Sequence, residues 1–183
     1  MNIRHLILML LKASGDKIVG KTMIQKQIYF LSLLLNENIG FKPHYYGPYS
    51  PEIEQALDEL IGAGFVSMAR NIFGVDTNTG FEFKRYDFEL VENGKNLAEI
   101  VKEENAQTYK KVEEFVKKME VNKANYLSLS IAAKAYFILH KESMLMNKDA
   151  IREKAKLFGW NVTDADIDNA IFILRQLNLI EQR

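Results

Sequence analysis

Residues 15–22, Gly15-Asp16-Lys17-Ile18-Val19-Gly20-Lys21-Thr22, satisfy the G-x-x-x-x-G-K-[ST] pattern of a phosphate-binding loop. In such a loop the backbone amides cradle the phosphates, the lysine reaches the β and γ oxygens, and the hydroxyl holds magnesium. An apolar segment precedes the pattern and a helix-forming segment follows it. Three features oppose the chemistry. Ile18 and Val19 put β-branched side chains where small residues are needed. No downstream apolar strand ends in an aspartate that would complete a magnesium site. The chain also lacks the strand–helix alternation of a parallel nucleotide-binding sheet. The simpler reading is punctuation: Gly15 ends one helix, and Gly20-Lys21-Thr22 opens the next. No cofactor is expected, and nucleotide binding stays a remote alternative.

Other catalytic residue types are sparse. His5, His44 and His140 stand singly, and no H-E-x-x-H, nucleophile elbow or metal-spaced carboxylate cluster occurs. There is no cysteine, hence no thiolate nucleophile, disulfide or cysteine-ligated metal. Glu52 and Glu54, two apart on a helix, point to different faces. The chain therefore reads as a binding protein without catalytic or metal-ligating residues.

Two surfaces are candidates for binding. The first is the loop His44-Tyr45-Tyr46-Gly47-Pro48-Tyr49, with Glu52 just beyond it. Tyrosines supply large amphipathic contact area at small entropic cost, as interface anchors do. Equally, Tyr45 or Tyr46 and Tyr49 would serve to pack the loop onto the preceding helix. The second surface is cationic and would meet nucleic acid: Lys17, Lys21 and Lys26, joined by Arg70, Lys84 and Arg85. Scattered surface charge is the plainer account of those six.

The distribution of charge argues against ordinary DNA docking. Lys and Arg number 24, as do Asp and Glu, so formal net charge is zero. Residues 1–42 carry Arg4, Lys12, Lys17, Lys21, Lys26 and Lys42 against Asp16 and Glu37. From Pro43 to Ala69 there is no Lys or Arg, while Glu52, Glu54, Asp58 and Glu59 are all acidic. A helix-turn-helix presents its third helix to the major groove, and here that helix would carry four carboxylates toward phosphates. Near the C-terminus Arg175 and Gln176 are offset by Asp164, Asp166 and Asp168.

The elements that position these residues follow from periodicity. A helix is expected over Asn2–Ala13, broken by Ser14-Gly15-Asp16. A central one spans about Thr22–Leu35, with apolar residues on nearly all sides. Ser50 should cap a third helix that starts at Pro51, runs to Ala63 and ends at a left-handed Gly64. Strands from Phe65 and over Phe81–Leu90 flank a hairpin tip at residues 74–80. Helix, helix, helix, strand, loop, strand is the order of a winged helix-turn-helix. A helix over Asn93–Met119 follows, its polar middle (Lys102–Thr108) marking a kink or an exposed bridge. Helices over Lys123–His140, Lys148–Phe158 and from a Thr163 cap to Leu177 complete the chain. The expected division is a winged-helix-like domain (1–92), a connecting and dimerising helix (93–122) and a C-terminal helical domain (123–183).

The last helix repeats the third. Ile53–Val66 aligns without gaps on Ile167–Ile180, core positions match in type, and Gly64 falls on Asn178. Glycine and asparagine are the types that tolerate a left-handed helix end. The C-terminal domain thus reads as a second helix-turn-helix-like unit without a wing.

The run Gly20-Lys-Thr-Met-Ile-Gln-Lys-Gln-Ile-Tyr-Phe-Leu31, with His44-Tyr-Tyr-Gly-Pro-Tyr-Ser-Pro-Glu-Ile53 after it, resembles the YwgA-like bacterial and archaeal proteins. It is more distantly similar to the Panacea/SocA-like antitoxin and proteolysis-adaptor domains, which share a helix bearing Leu-Gln-Lys and a following Gly-Pro. The resemblance covers about Gly20–Val66, a third of the chain, and its most specific part is Tyr46-Gly-Pro-Tyr-Ser50. In such proteins the position of Lys21 is often arginine, which a phosphate loop would not tolerate. The resemblance implies a regulatory binding module and brings no catalytic residues.

Composition sets the remaining bounds. A chain of 183 residues with 48% apolar and 26% charged residues can bury a core. No run of apolar residues is long enough to span a membrane. Ile3–Leu11, interrupted by Arg4 and His5 without a small-residue cleavage site, reads as a core helix and not as a signal peptide. A cytoplasmic, non-enzymatic regulatory or adaptor module that binds a protein partner is the expectation. The alternative is a DNA-binding transcriptional regulator, dimeric through the helix 93–119.

Overall fold

The computed structural model describes residues 2–75, 82–121, 126–142 and 148–180. Among them the protein is mainly helical with a small three-stranded antiparallel sheet. The elements are α1 (Ile3–Ala13), β1 (Lys17–Val19), α2 (Lys21–Leu35), α3 (Pro51–Gly62), β2 (Val66–Val75), β3 (Glu82–Leu90), α4 (Glu92–Glu104), α5 (Ala106–Val121), α6 (Tyr126–Glu142), α7 (Lys148–Leu157) and α8 (Asp164–Gln176). Within the described residues no helix is long and apolar enough to cross a membrane. The chain packs as two compact units, each built from two stretches of sequence: residues 1–24 with 51–116, and residues 25–50 with 117–183.

In the first unit α1 is the centre. Leu6 to Leu11 are all buried, so this helix is apolar on every side and packs on both α3 and α4. Asn2 caps it by accepting from the Arg4 amide at 2.9 Å. Gly15 and Asp16, with φ of 74° and 66°, turn the chain through the left-handed region. The chain then runs straight into β1, a strand that the sequence pattern does not mark. Lys17, Ile18 and Val19 pair with Glu89, Phe88 and Asp87 of β3. The sheet order β1-β3-β2 places β3 in the middle. Its residues alternate, with Phe88 and Leu90 buried beside Ile18 and Val66. Of the expected hairpin tip at residues 74–80, Gly74 and Val75 belong to β2, and the rest lies outside the described residues.

The expected long helix over 93–119 is broken at the predicted polar stretch. Asn105 ends α4, its amide and its side-chain Nδ2 both donating to the Val101 carbonyl at 3.0 and 2.9 Å. A side chain that bonds its own backbone in this way competes with helix propagation. The buried face of α4 is Gly94, Ala98 and Val101, and α4 lies on α1 of the same chain.

In the second unit, the continuation of α2 is buried without interruption from Gln25 to Ser32. Helix α6 packs against α7 and α8. Ile138, Ile151, Ala155, Trp160, Val162 and Ile167 form one apolar cluster there, with Phe137 and Phe158 against it. Thr163 caps α8 as expected, in a reciprocal capping box with Asp166. The expected cap at Ser50 does not form. Its hydroxyl is buried without a hydrogen-bond partner, while its backbone is held by the side chain of Gln25.

The aligned helices α3 and α8 end alike. Gly64 and Asn178 both have positive φ, 74° and 57°. Phe65 donates to the Leu60 carbonyl and Leu179 to Leu174, each at 3.0 Å, which is the six-to-one bond of a Schellman end. Ile53, Ala56 and Leu60 match Ile167, Ala170 and Leu174, and all six are buried.

Close backbone packing makes one glycine indispensable. A Cβ on Gly94 would lie 1.9 Å from the Phe65 carbonyl oxygen, and backbone cannot move aside as a side chain can. Gly94→Ala is expected to destabilise the first unit by about 3 kcal/mol. Thermal melting followed by circular dichroism measures it, and an unchanged midpoint would contradict this packing.

Candidate functional site

The aromatic loop is a built structure and not a slack connection. Lys42 and Tyr49 exchange two backbone hydrogen bonds, each 2.9 Å, so the loop closes on itself as an isolated antiparallel bridge. Inside it the Gly47 amide donates to the His44 carbonyl at 2.8 Å. Gly47 has φ of 95°, and a Cβ there would meet Lys134 Cγ at 3.1 Å and the Ser130 carbonyl at 3.3 Å. Glycine is required both for the turn and for the close approach to α6.

Two adjacent side chains of α2 fasten the loop from below. Gln25 Nε2 donates to the Ser50 carbonyl at 2.9 Å, and Gln25 Oε1 accepts from the Ser50 amide at 3.0 Å. A primary amide offers one donor and one acceptor side by side, so it substitutes for a neighbouring strand. Lys26 Nζ donates to the Pro48 carbonyl at 2.6 Å. From the other side, Trp160 Nε1 donates to the His44 carbonyl at 2.5 Å. Phe41 stands edge-on to the buried Tyr29 of α2, with ring centroids 5.0 Å apart.

The tyrosines of the loop divide between packing and exposure. Tyr49 is half-buried against the His44 ring, 5.2 Å between centroids. Tyr45 and Tyr46 keep 69% and 50% of their surface exposed, and their rings meet edge to face at 4.9 Å. His44 is exposed as well. The ammonium of Lys134 lies 6.0 Å from the Tyr45 ring centroid and 5.5 Å from that of Trp160. Glu52 is exposed in the first turn of α3, in the other unit.

Lys26 requires a correction. Its sequence pattern groups it with Lys17 and Lys21 as a surface cation, yet it is 2% exposed. Burial drives its pKa down to about 7, helped by the positive charge of Lys134. Lys26 therefore cannot reach a phosphate, and its role is to hold the Pro48 carbonyl.

The remaining candidates for nucleic acid do not share a surface. By strand register Arg70 and Lys84 lie on one face of the sheet, with Tyr86 and Ile72. Arg85 lies on the opposite face, with Asp87 and Glu89, and Lys17 pairs there with Glu89. Arg85 makes two bonds to Asp87, at 2.8 and 3.1 Å, and covers the Phe73 ring. Lys17 stands 3.7 Å from Glu89, and Lys21 pairs with Glu54 of α3. The phosphate-loop pattern is likewise engaged elsewhere. Its centre is the strand β1, and the Gly20 amide donates to the Tyr86 carbonyl at 3.1 Å.

Sequence reasoning singled out the tyrosine-rich loop without separating Tyr45 and Tyr46 from Tyr49, and it missed what holds the loop. Gln25 and Lys26 are polar residues inside a helix that is otherwise buried, a signal that they serve interior backbone. Trp160 and Lys134 carried no such signal. Among the described residues no group of three or more His, Asp or Glu is gathered as a metal would require. Compared with models of known protein families and with curated proteins, the chain matches none.

Two substitutions test the anchor. Gln25→Ala leaves the buried Ser50 amide and carbonyl unpaired and is expected to cost about 2–4 kcal/mol in denaturant unfolding. Lys26 has its folded pKa below the unfolded value of 10.5, so the unfolded chain binds more protons between about pH 7 and 10.5. Stability should therefore rise with pH across that window, and be lowest where Lys26 is charged while buried. Lys26→Met removes this rise. Equal pH slopes for the two proteins would disprove the burial of a charge at this position.

Proposed function

We propose that the chain is a non-enzymatic regulatory or adaptor module that binds a protein partner through the loop at Tyr45 and Tyr46. The observation that carries this reading is the contrast between the loop's backbone and its tyrosines. The backbone is fixed at His44, Pro48 and Ser50 by three side chains, while two adjacent aromatic rings face outward. Preorganised aromatic side chains bind at low entropic cost, which is how interface hot spots work. Lys26, whose pKa burial lowers to about 7, is sealed inside the protein, so it is no candidate for acid–base chemistry on a substrate.

Residues 1–92 are read as a winged helix. Their element order is α1-β1-α2-α3-β2-β3 with sheet order β1-β3-β2, α2 continuing from Gln25 into the second unit, and β2 with β3 would be the wing. Helix α3 is then the recognition helix, and it favours a protein partner over DNA. It carries Glu52, Glu54, Asp58 and Glu59 and no cation; Glu59 is paired with Arg4, at 2.5 Å. Resemblance to the YwgA-like proteins, and more distantly to Panacea/SocA-like antitoxins and adaptors, supports the same class. The residues that carry it include Gln25-Lys26 and Gly47-Pro48, the anchor and the anchored turn. A cytoplasmic location and a homodimer accord with this reading.

A pull-down from native lysate, with and without nuclease, tests the proposal. A partner that survives nuclease should be captured at least ~10-fold less well by Tyr45→Ala/Tyr46→Ala, whose circular dichroism is unchanged. Capture indifferent to the double substitution, or abolished by nuclease, would reject this reading, the second outcome in favour of the DNA-binding regulator.

A further inference from the structure

Resting on that reading of the loop, we propose that the partner's contact segment is an acidic peptide, one carboxylate seated on Lys134 and adjoining apolar side chains covering Tyr45 and Tyr46. Charge makes the first part of the case. From Asn38 to Pro51 the chain has no Asp or Glu, and neither has α6 from Tyr126 to His140. Lys42 and His44 are exposed on the loop, and Lys134 stands half-buried beside it. The two segments that carry the tyrosines and Lys134 are therefore cationic in a protein of zero formal net charge.

Lys134 is placed against rings where a counter-ion would be expected. Its ammonium is set beside Tyr45 and Trp160, whose negative faces attract a cation. Among the described residues no carboxylate forms an ion pair with it. Asp166 is near enough to favour its charged form, but burial outweighs that and lowers the Lys134 pKa. The Asp166 carboxylate is also occupied: its Oδ2 accepts from the Thr163 amide at 2.9 Å and the Thr163 hydroxyl at 2.8 Å, closing the cap of α8. Lys26, below, adds a second positive charge when protonated. A carboxylate arriving from outside relieves this partly desolvated ammonium, where an ion pair is stronger than on open surface.

The geometry of the rings selects a peptide over single-stranded nucleic acid. Successive bases need aromatic faces they can stack on in sequence. Tyr45 and Tyr46 are perpendicular, so the edge of one ring is turned to the other. A phosphate backbone also needs a row of cations to follow, whereas the loop and α6 offer Lys42 and Lys134 at scattered places. One carboxylate beside an aliphatic or aromatic side chain matches what is present.

Selection from a random peptide library displayed on phage tests this without a known partner. The unaltered protein should enrich peptides with Asp or Glu next to a large apolar residue. Lys134→Gln should bind those peptides at least ~10-fold more weakly, a loss of about 1.4 kcal/mol. Lys134→Glu should shift selection to Lys- or Arg-bearing peptides. Emission from Trp160, the single tryptophan, reports whether each variant keeps the loop in place. Acid-free peptides, selected equally by the protein and by Lys134→Gln, would overturn the acidic-peptide inference. If those peptides still required Tyr45 and Tyr46, the adaptor reading would stand. Enrichment of no peptide, or displacement of the peptides by oligothymidylate, would also overturn it.

Discussion

The exposed tyrosines depend on one constraint: the backbone at Pro48 and Ser50, on either side of Tyr49, the bridge partner of Lys42, is buried and has no strand or helix to pair with. Two prolines and two glycines between Gly40 and Pro48 prevent a regular ladder. Interior amides and carbonyls must still find partners. Gln25 and Lys26 provide them, the first by imitating a strand and the second by donating to Pro48. The arrangement has a cost, because an amine that would prefer water is enclosed and its pKa falls to about 7. The hydrogen bonds from Gln25 and Lys26 offset that cost and fix the backbone at Pro48 and Ser50, and an anchored loop can present two aromatic rings without itself collapsing onto them.

Three of the cations considered for nucleic acid are paired with carboxylates. Lys17, Lys21 and Arg85 stand beside Glu89, Glu54 and Asp87. These pairs are mostly solvent-exposed and add little stability, but they cancel the field that a nucleic acid would feel. Lys134 differs because its neighbours are rings. The first unit carries fifteen Asp and Glu against eleven Lys and Arg, so attraction for an anion is local to the amine beside the loop and not a property of the whole protein.

The ends of α3 and α8 show how one local solution recurs in both units. Each helix buries the same pattern of apolar positions and closes through a left-handed residue, Gly64 in one and Asn178 in the other. Glycine and asparagine are among the few residue types that take that backbone cheaply, so the repeat is written in sequence as well as in structure. The two chains of residues diverge beyond that turn. After Gly64 the backbone enters β2 and joins a sheet, whereas no strand is formed over Leu179 and Ile180.

Much was determined by the sequence alone because it rests on local physics. Helical periodicity located six of the eight helices of the described residues to within a few residues, and expected α4 and α5 as one helix. Thr163 specified its capping box, Gly64 and Asn178 their left-handed turns, and Asn105 broke the helix inside the predicted polar stretch. The tyrosine-rich loop was also visible. Tertiary structure decided the rest, through contacts between residues distant in the chain. Strand β1 exists because Ile18 pairs with Phe88, seventy residues away; in the sequence its β-branched residues counted only against a phosphate loop. Lys26 is a structural donor because Pro48 comes to lie against it; its apolar surroundings in α2 signal an interior role, but not which carbonyl it would hold. Which tyrosines pack and which are exposed depends on the closure of residues 42–49 and on Trp160, far along the chain. Periodicity records the face a residue occupies, whereas register and partner are settled only when the chain has closed upon itself.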